Sequence, residues 1–259
     1  MAQKSSRRVR KVIENVARIL GDRPAPHRLP MTLDFKPLAD IHTLSTGFRP
    51  LDKAMDIGGF PCGRITELIG SGDTALSGGA TCVAARIAAK VQRKQQVVTI
   101  IDMSHGFDPW QAERCGLVAP QLLLTRPDTV FDALTTLENA ARTDGLVIMV
   151  MGVVSELLNH AGPDTLKTLL GRLRTISKQS NSVFLWLTLP LKDDPFNPEN
   201  YPIGFPLMEL ADIRLWIQDE TWAHKDGIAT SYKATLTVIK NRLGIAGKGA
   251  DIRIKLASF

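Results

Sequence analysis

Short, almost unbroken apolar runs, separated by helix-length amphipathic segments, constrain this chain more than any other feature. Arg64–Ile69, Val97–Ile101, Leu146–Met151 and Val183–Leu189 each read as a strand with little polar interruption. A strand that is apolar on both faces has to be covered on both, which is the situation of a parallel sheet between two layers of helices. The intervening segments supply those helices. Helical patterning falls at Thr81–Arg93, Pro109–Cys115, Val130–Arg142 and Asp164–Lys178, the last with Leu166, Leu169, Leu170 and Leu173 on one face. The final third changes character: Asp212–Ile217, Ser231–Ile239 and Asp251–Leu256 read as strands with no helix between them. That order predicts an antiparallel extension of the same sheet.

A separate segment precedes this α/β region. Val9, Val12, Ile13, Val16 and Leu20 fall on one helical face of Ser6–Leu20, with Arg7, Arg8, Arg10 and Lys11 elsewhere. Gly21 ends that helix, and Pro24, Pro26 and Pro30 mark a linker. The expected division is a basic helix and linker over 1–40 and one α/β domain over 41–259, a size that a single large domain accommodates. The formal net charge of +6 permits a nucleic-acid partner without requiring one. Cys62, Cys82 and Cys115 are scattered and form no CxxC pair, so the expectation is three reduced, mostly buried thiols and no metal site. The basic N-terminus leads into no apolar signal core, and no apolar run is long enough to cross a bilayer. A soluble, cytoplasmic, nucleoid-associated protein without membrane contact is expected.

The stretch Leu44–Gly70, LSTGFRPLDKAMDIGGFPCGRITELIG, resembles the RecA recombinase family where that family runs into its phosphate-binding loop. Five further stretches resemble it in the same order: Ile101–Leu117, Leu122–Leu134, Leu146–Leu157, Leu173–Thr188 and Leu236–Gly244. The resemblance implies a RecA-like α/β core, with a mostly parallel central sheet, helices on both faces and an antiparallel extension. It also implies that the N-terminal helix and linker pack on the next subunit of a filament.

The residues that would bind and hydrolyse ATP are missing. A working phosphate loop has the form GxxxxGK followed by Ser or Thr; its N–H groups surround the phosphates and its lysine neutralises them. Here the stretch runs Gly70–Cys82 as GSGDTALSGGATC, with Gly79 where the lysine belongs and Ala80 where the hydroxyl belongs. No lysine lies between Lys53 and Lys90. The family resemblance places the metal-linked aspartate at the end of Leu146–Met151, where Met151 and Gly152 stand; the catalytic glutamate at Ser104; the adenine-stacking tyrosine at Gln111; and a polar glutamine at Leu189. The loop Gly70, Ser77, Gly78, Gly79 and Thr81 is therefore expected not to bind ATP or magnesium, and no catalytic residue is assigned.

A basic pair around an asparagine is retained in Lys240, Asn241 and Arg242. By the resemblance, this pair reaches across a filament interface to the ATP of a neighbouring subunit. The expected partner is a RecA-type recombinase, or a second copy of the chain. Single-stranded DNA contact is a further expectation, through Arg7, Arg8, Arg10 and Lys11 of the N-terminal helix or Lys167, Arg172 and Arg174 of the later helix. Four readings follow. The first is a catalytically silent RecA paralogue that modulates an active filament in recombination and repair. The second is an accessory of damage-tolerant DNA synthesis, similar to the ImuA family, with a lesion-bypass polymerase as added partner. The third is a divergent DNA-dependent ATPase, and the fourth a structural homo-oligomer.

Overall fold

The computed structural model describes residues 41–70, 78–143, 145–153, 163–189, 195–196 and 207–258. These belong to one unit spanning Leu38–Phe259. The segment Met1–Pro37, read above as the N-terminal helix and most of the linker, is a separate unit and lies outside the described residues.

The described chain opens with β1 (Thr43–Leu44), α1 (Arg49–Ala54) and β2 (Phe60–Pro61), with β1 and β2 antiparallel. Asp52 organises this entry: its carboxylate accepts from the Ser45 hydroxyl, the Thr46 hydroxyl and the Thr46 amide. The core follows as β3 (Ile65–Ile69), α2 (Gly79–Arg93), β4 (Val97–Asp102), α3 (Pro109–Arg114), a short 3-10 turn at Ala119–Gln121 and β5 (Leu122–Thr125). Next come α4 (Val130–Ala140), β6 (Gly145–Val153), α5 (Pro163–Lys178), β7 (Val183–Leu189) and the single-turn α6 (Leu207–Leu210). The chain then runs through β8 (Ile213–Lys225), β9 (Ile228–Asn241) and β10 (Gly249–Lys255).

These strands form one eight-stranded sheet in the order β10-β9-β8-β3-β7-β6-β4-β5. The pairs from β8 to β5 are parallel; β8 with β9 and β9 with β10 are antiparallel. The parallel sheet with an antiparallel extension is thus the architecture the apolar runs predicted. Side-chain alternation divides the core into two layers. Leu146 and Ile148 of β6 and Leu185 and Leu187 of β7 pack with α2. Val147, Phe184 and Trp186 point the other way, into a layer with Ala133, Leu134 and Leu137 of α4 and Leu173 of α5.

Local chemistry explains several element ends. Asp108 caps α3 by accepting from the Trp110 amide, with Pro109 as the first helical residue. Thr129 caps α4 through the Asp132 amide and donates back to the Asp132 carboxylate. α2 is buried along nearly its whole length, and its alanines let the helix axis lie close to the sheet. No described helix is long and apolar enough to cross a membrane.

Candidate functional site

Because β3, β4, β6 and β7 are parallel, their C-terminal ends share one edge of the sheet. Pairing aligns them closely: Thr188 sits opposite both Ile69 and Gly152, and Asp102 opposite Val150. The Gly70 amide donates to the Thr188 carbonyl at 3.0 Å. Open α/β sheets bind ligands at such an edge. The fold therefore gathers Gly70, the turn after β4 with Ser104, the backbone of Gly152, and Leu189, which are scattered in sequence. Side chains of Met151 and Ser77 lie outside the described residues.

The start of α2 is where a phosphate would sit. Gly78 provides no side-chain cap, and the N–H groups and positive end of the helix dipole are the local attraction for an anion. A protein carboxylate already stands there. A Cβ placed on Gly79 would collide with Glu220 Oε2 and Tyr232 Oη. The Tyr232 hydroxyl donates to Glu220 Oε2 at 2.7 Å. Glu220 is the flexible end of this pair, but Tyr232 is fully buried and its ring packs on Trp222 with centroids 4.6 Å apart. Burial, then the bond to Glu220, pushes the Tyr232 phenol well above its usual range, so it remains a neutral donor. The space beside Gly79, the position at which the resemblance expects a lysine, thus holds a buried hydroxyl and a carboxylate.

The other family positions have structural work in this chain. The Ser104 hydroxyl donates to Asp102 Oδ1 at 2.9 Å and accepts from the Gly106 amide. Asp102 is fully buried; its second oxygen accepts from the Phe107 amide and from Arg126 Nε at 3.2 Å. Arg126 also holds the Phe107 carbonyl, so this network fixes the turn leading to α3. Gln111 is half-buried on α3, Thr81 is buried on α2, and Leu189 is buried at the end of β7. Among the described residues no group of three His, Cys, Asp or Glu could hold a metal ion.

One polar cluster escaped the sequence reading. Glu67 of β3 and Arg214 of β8 face each other in register, Arg214 Nε donating to Glu67 Oε2 at 2.5 Å. Thr188 of β7 donates to the other Glu67 oxygen at 2.7 Å, and Arg214 also reaches the Pro195 carbonyl at 3.3 Å. Both charged side chains are almost wholly buried. The signal was available: a lone glutamate in ITELI and a lone arginine in IRLW are opposite charges in strands that have to be buried, and buried charges demand partners.

Lys240, Asn241 and Arg242 are adjacent at the end of β9, and the structure gives each an intramolecular partner. Lys240 Nζ donates to the carbonyls of Met208 at 2.5 Å and Glu209 at 3.3 Å. Arg242 Nη2 donates to the Glu209 carbonyl at 2.5 Å, and Nη1 lies 3.9 Å from Asp212. The basic pair thus caps the carbonyl end of α6. Burial, followed by the charges of Arg242 and Arg214, pushes Lys240 down to about 8. Asn241 Nδ2 holds the Met55 carbonyl at 2.9 Å, and Asn241 Oδ1 accepts from the Leu243 amide.

Of the candidate DNA contacts, Arg172 on α5 is bidentate with Glu138 of α4, at 2.6 and 2.9 Å. Arg174 is half-buried on the same helix. The Lys167 side chain and Arg7, Arg8, Arg10 and Lys11 lie outside the described residues. The fold therefore does not unite these cations into one described patch.

Comparison with known proteins places these observations. The family model for the RecA N-terminal domain matches residues 11–166. The chain is similar to the protein RecA of Thermus thermophilus, 29% identical over 262 residues that cover 95% of this chain and 76% of the relative. It is also similar to the protein RecA of Mesomycoplasma hyopneumoniae, 28% identical over 243 residues covering 88% and 71%. The crystal structure of the RadB recombinase shares the fold, with a TM-score of 0.59 over 82% of this chain and 96% of that one, at 19% identity.

Proposed function

Since the chain belongs to the RecA family, we propose that it acts in recombination and repair as a catalytically silent relative, one that binds and modulates an active RecA-type filament. The observation that carries this reading is the Glu220–Tyr232 pair over Gly79. A triphosphate entering there meets a carboxylate instead of an ammonium. It also finds no lysine in the loop and no aspartate at the end of β6. Removal of one such group from a phosphoryl-transfer site costs orders of magnitude in rate; here several are replaced together, and no hydrolysis follows.

The partner is a subunit that does carry ATP. Lys240 and Arg242 lie side by side at a strand end, and Arg242 keeps over a third of its side chain exposed. In a contact with a competent recombinase, this pair would exchange the α6 carbonyls for the phosphates of the partner's nucleotide. The contact is heterologous, using one face of this chain and a different face of the recombinase, so it ends or seeds a filament without propagating through a second copy.

Calorimetry with magnesium and ATP tests both halves. The chain alone is expected to give no binding heat. With a RecA-type recombinase and single-stranded DNA, ATP-dependent assembly is expected to tighten, and Lys240→Ala and Arg242→Ala are expected to abolish the gain while remaining folded by circular dichroism. Micromolar ATP binding by the chain alone would overturn the silent-site reading, and assembly unaffected by either substitution would overturn the role of the basic pair.

A further inference from the structure

Cys82 and Cys115, 33 residues apart in sequence, place their sulfurs 2.6 Å from each other in the interior. Cys82 lies in the first turn of α2 and Cys115 caps the end of α3; both are fully buried. The separation falls between ordinary contact of two thiols and the roughly 2.0 Å of a disulfide bond. Nothing in the reading of the nucleotide site uses either sulfur.

The surroundings distinguish the two. Arg86 Nη1 donates to the Cys115 carbonyl at 3.2 Å, and Arg114 is the residue immediately before Cys115. The hydrogen bond from Cys82 draws Cys115 below the usual thiol range, aided by the Arg86 and Arg114 guanidiniums and opposed by burial. The same bond, with burial, pushes Cys82 up. The pair is thereby biased toward Cys115 as the attacking sulfur and Cys82 as its resolving partner. A surface cavity of about 390 Å³ is bordered by Arg86, and another of about 760 Å³ by Gly116, the residue after Cys115. α3 has only six residues, the kind of short element that opens locally at low cost.

We propose that Cys82 and Cys115 are a modification site, a dithiol that a peroxide closes into a reversible intramolecular disulfide fixing the first turn of α2 to the end of α3. The Cys115 thiolate attacks one peroxide oxygen; the O–O bond breaks, leaving a sulfenic acid on Cys115 and a hydroxide that takes a proton and departs as water. Cys82 then attacks Cys115 Sγ; the S–O bond breaks as the S–S bond forms, and the proton from Cys82 leaves with the hydroxide as a second water. Two thiols and one hydrogen peroxide give one disulfide and two waters, with two electrons passing from sulfur to oxygen. Hydrogen peroxide is small enough for a buried pair, whereas a bulky disulfide oxidant is not. The closed form ties together elements that already meet: Arg114 holds the carbonyls of Ala229 in β9 and of Ala257 just beyond β10, and Tyr232 abuts the start of α2.

The test uses the full reduced chain, treated with hydrogen peroxide and then alkylated under denaturing conditions for intact-mass and peptide analysis. The expected result is loss of two of the three alkylatable thiols, a peptide pair linked through Cys82 and Cys115, and full recovery with a dithiol reductant. The oxidised chain should melt higher by several degrees, on the order of 5 °C, and Cys62→Ser should behave identically. In Cys115→Ala, Cys82 should remain alkylatable after peroxide. Retention of all three thiols, a link through Cys62, or stable sulfinic acid on either buried cysteine would each overturn the proposal; the wild-type mass result decides even if a variant does not fold.

Discussion

A methyl group at Gly79 would fall on the Tyr232 hydroxyl and the Glu220 carboxylate. Gly79→Ala in an open helix would gain about 1 kcal/mol from propensity. Here it is expected to lose about 1–3 kcal/mol, the cost of overpacking a rigid site. Urea unfolding measures the difference, and a net gain in stability would show that Tyr232 gives way. Glu67 and Arg214 make a second residue-scale prediction. Arg214→Met leaves Glu67 buried without its cation and should cost about 3–5 kcal/mol, with part of the loss recovered when Glu67→Gln is added. A single-variant loss under about 1 kcal/mol would mean that water reaches the carboxylate. Lys240 supplies a pH dependence. Between about 8 and its ordinary 10.5 the unfolded chain holds a proton that the folded chain has released, so stability contributed by this group rises with pH through that window. Lys240→Met should remove that rise; denaturation midpoints at neutral and mildly alkaline pH compare the two.

Elements show where local patterning ran out. β8 extends to Lys225, well beyond the apolar run that announced it, because its outer half is mostly polar and solvent-facing; β9 begins at Ile228, slightly ahead of the run starting at Ser231. The turn joining them is Asp226-Gly227, both with positive φ, and that dipeptide between strands is the hairpin signal that could have placed the true ends. The pairs β1–β2 and the single-turn α6 were too short to show a period. The basic face of α5 looked like a phosphate-binding surface, yet Arg172 is spent on Glu138 of α4. An exposed pair of this kind is worth up to about 1 kcal/mol, so Arg172→Ala should barely change stability. If α5 touches DNA, the same substitution should weaken binding at every sequence and lower the salt slope by about one. Fluorescence anisotropy over a salt series separates the two roles.

At the scale of the whole molecule, one parallel sheet edge brings Gly70, Ser104, Gly152 and Leu189 together, with the Ser104 hydroxyl engaged by Asp102 and Leu189 buried. A ligand that binds only the folded state raises stability by about 2.7 kcal/mol at a hundredfold excess over its Kd. A domain of this size would then melt several degrees higher. Millimolar magnesium and ATP are expected to leave the melting temperature unchanged, and a clear rise would mean that Glu220 moves aside for a nucleotide.

The sequence by itself determined the alternation of the longer strands and helices and the parallel and antiparallel parts of the sheet, and it set the expectation that Gly79 and Met151 stand where a lysine and an aspartate would. Each of these depends on neighbours along the chain, on apolar periodicity or on a motif position, so local pattern suffices. Only the tertiary structure decided which distant side chains meet. Glu220 and Tyr232 are more than a hundred positions from Gly79, Arg214 is as far from Glu67, and Cys82 meets Cys115 across two helices. No spacing rule links such residues; they meet because sheet register and helix packing bring distant parts of the chain to the same few ångströms.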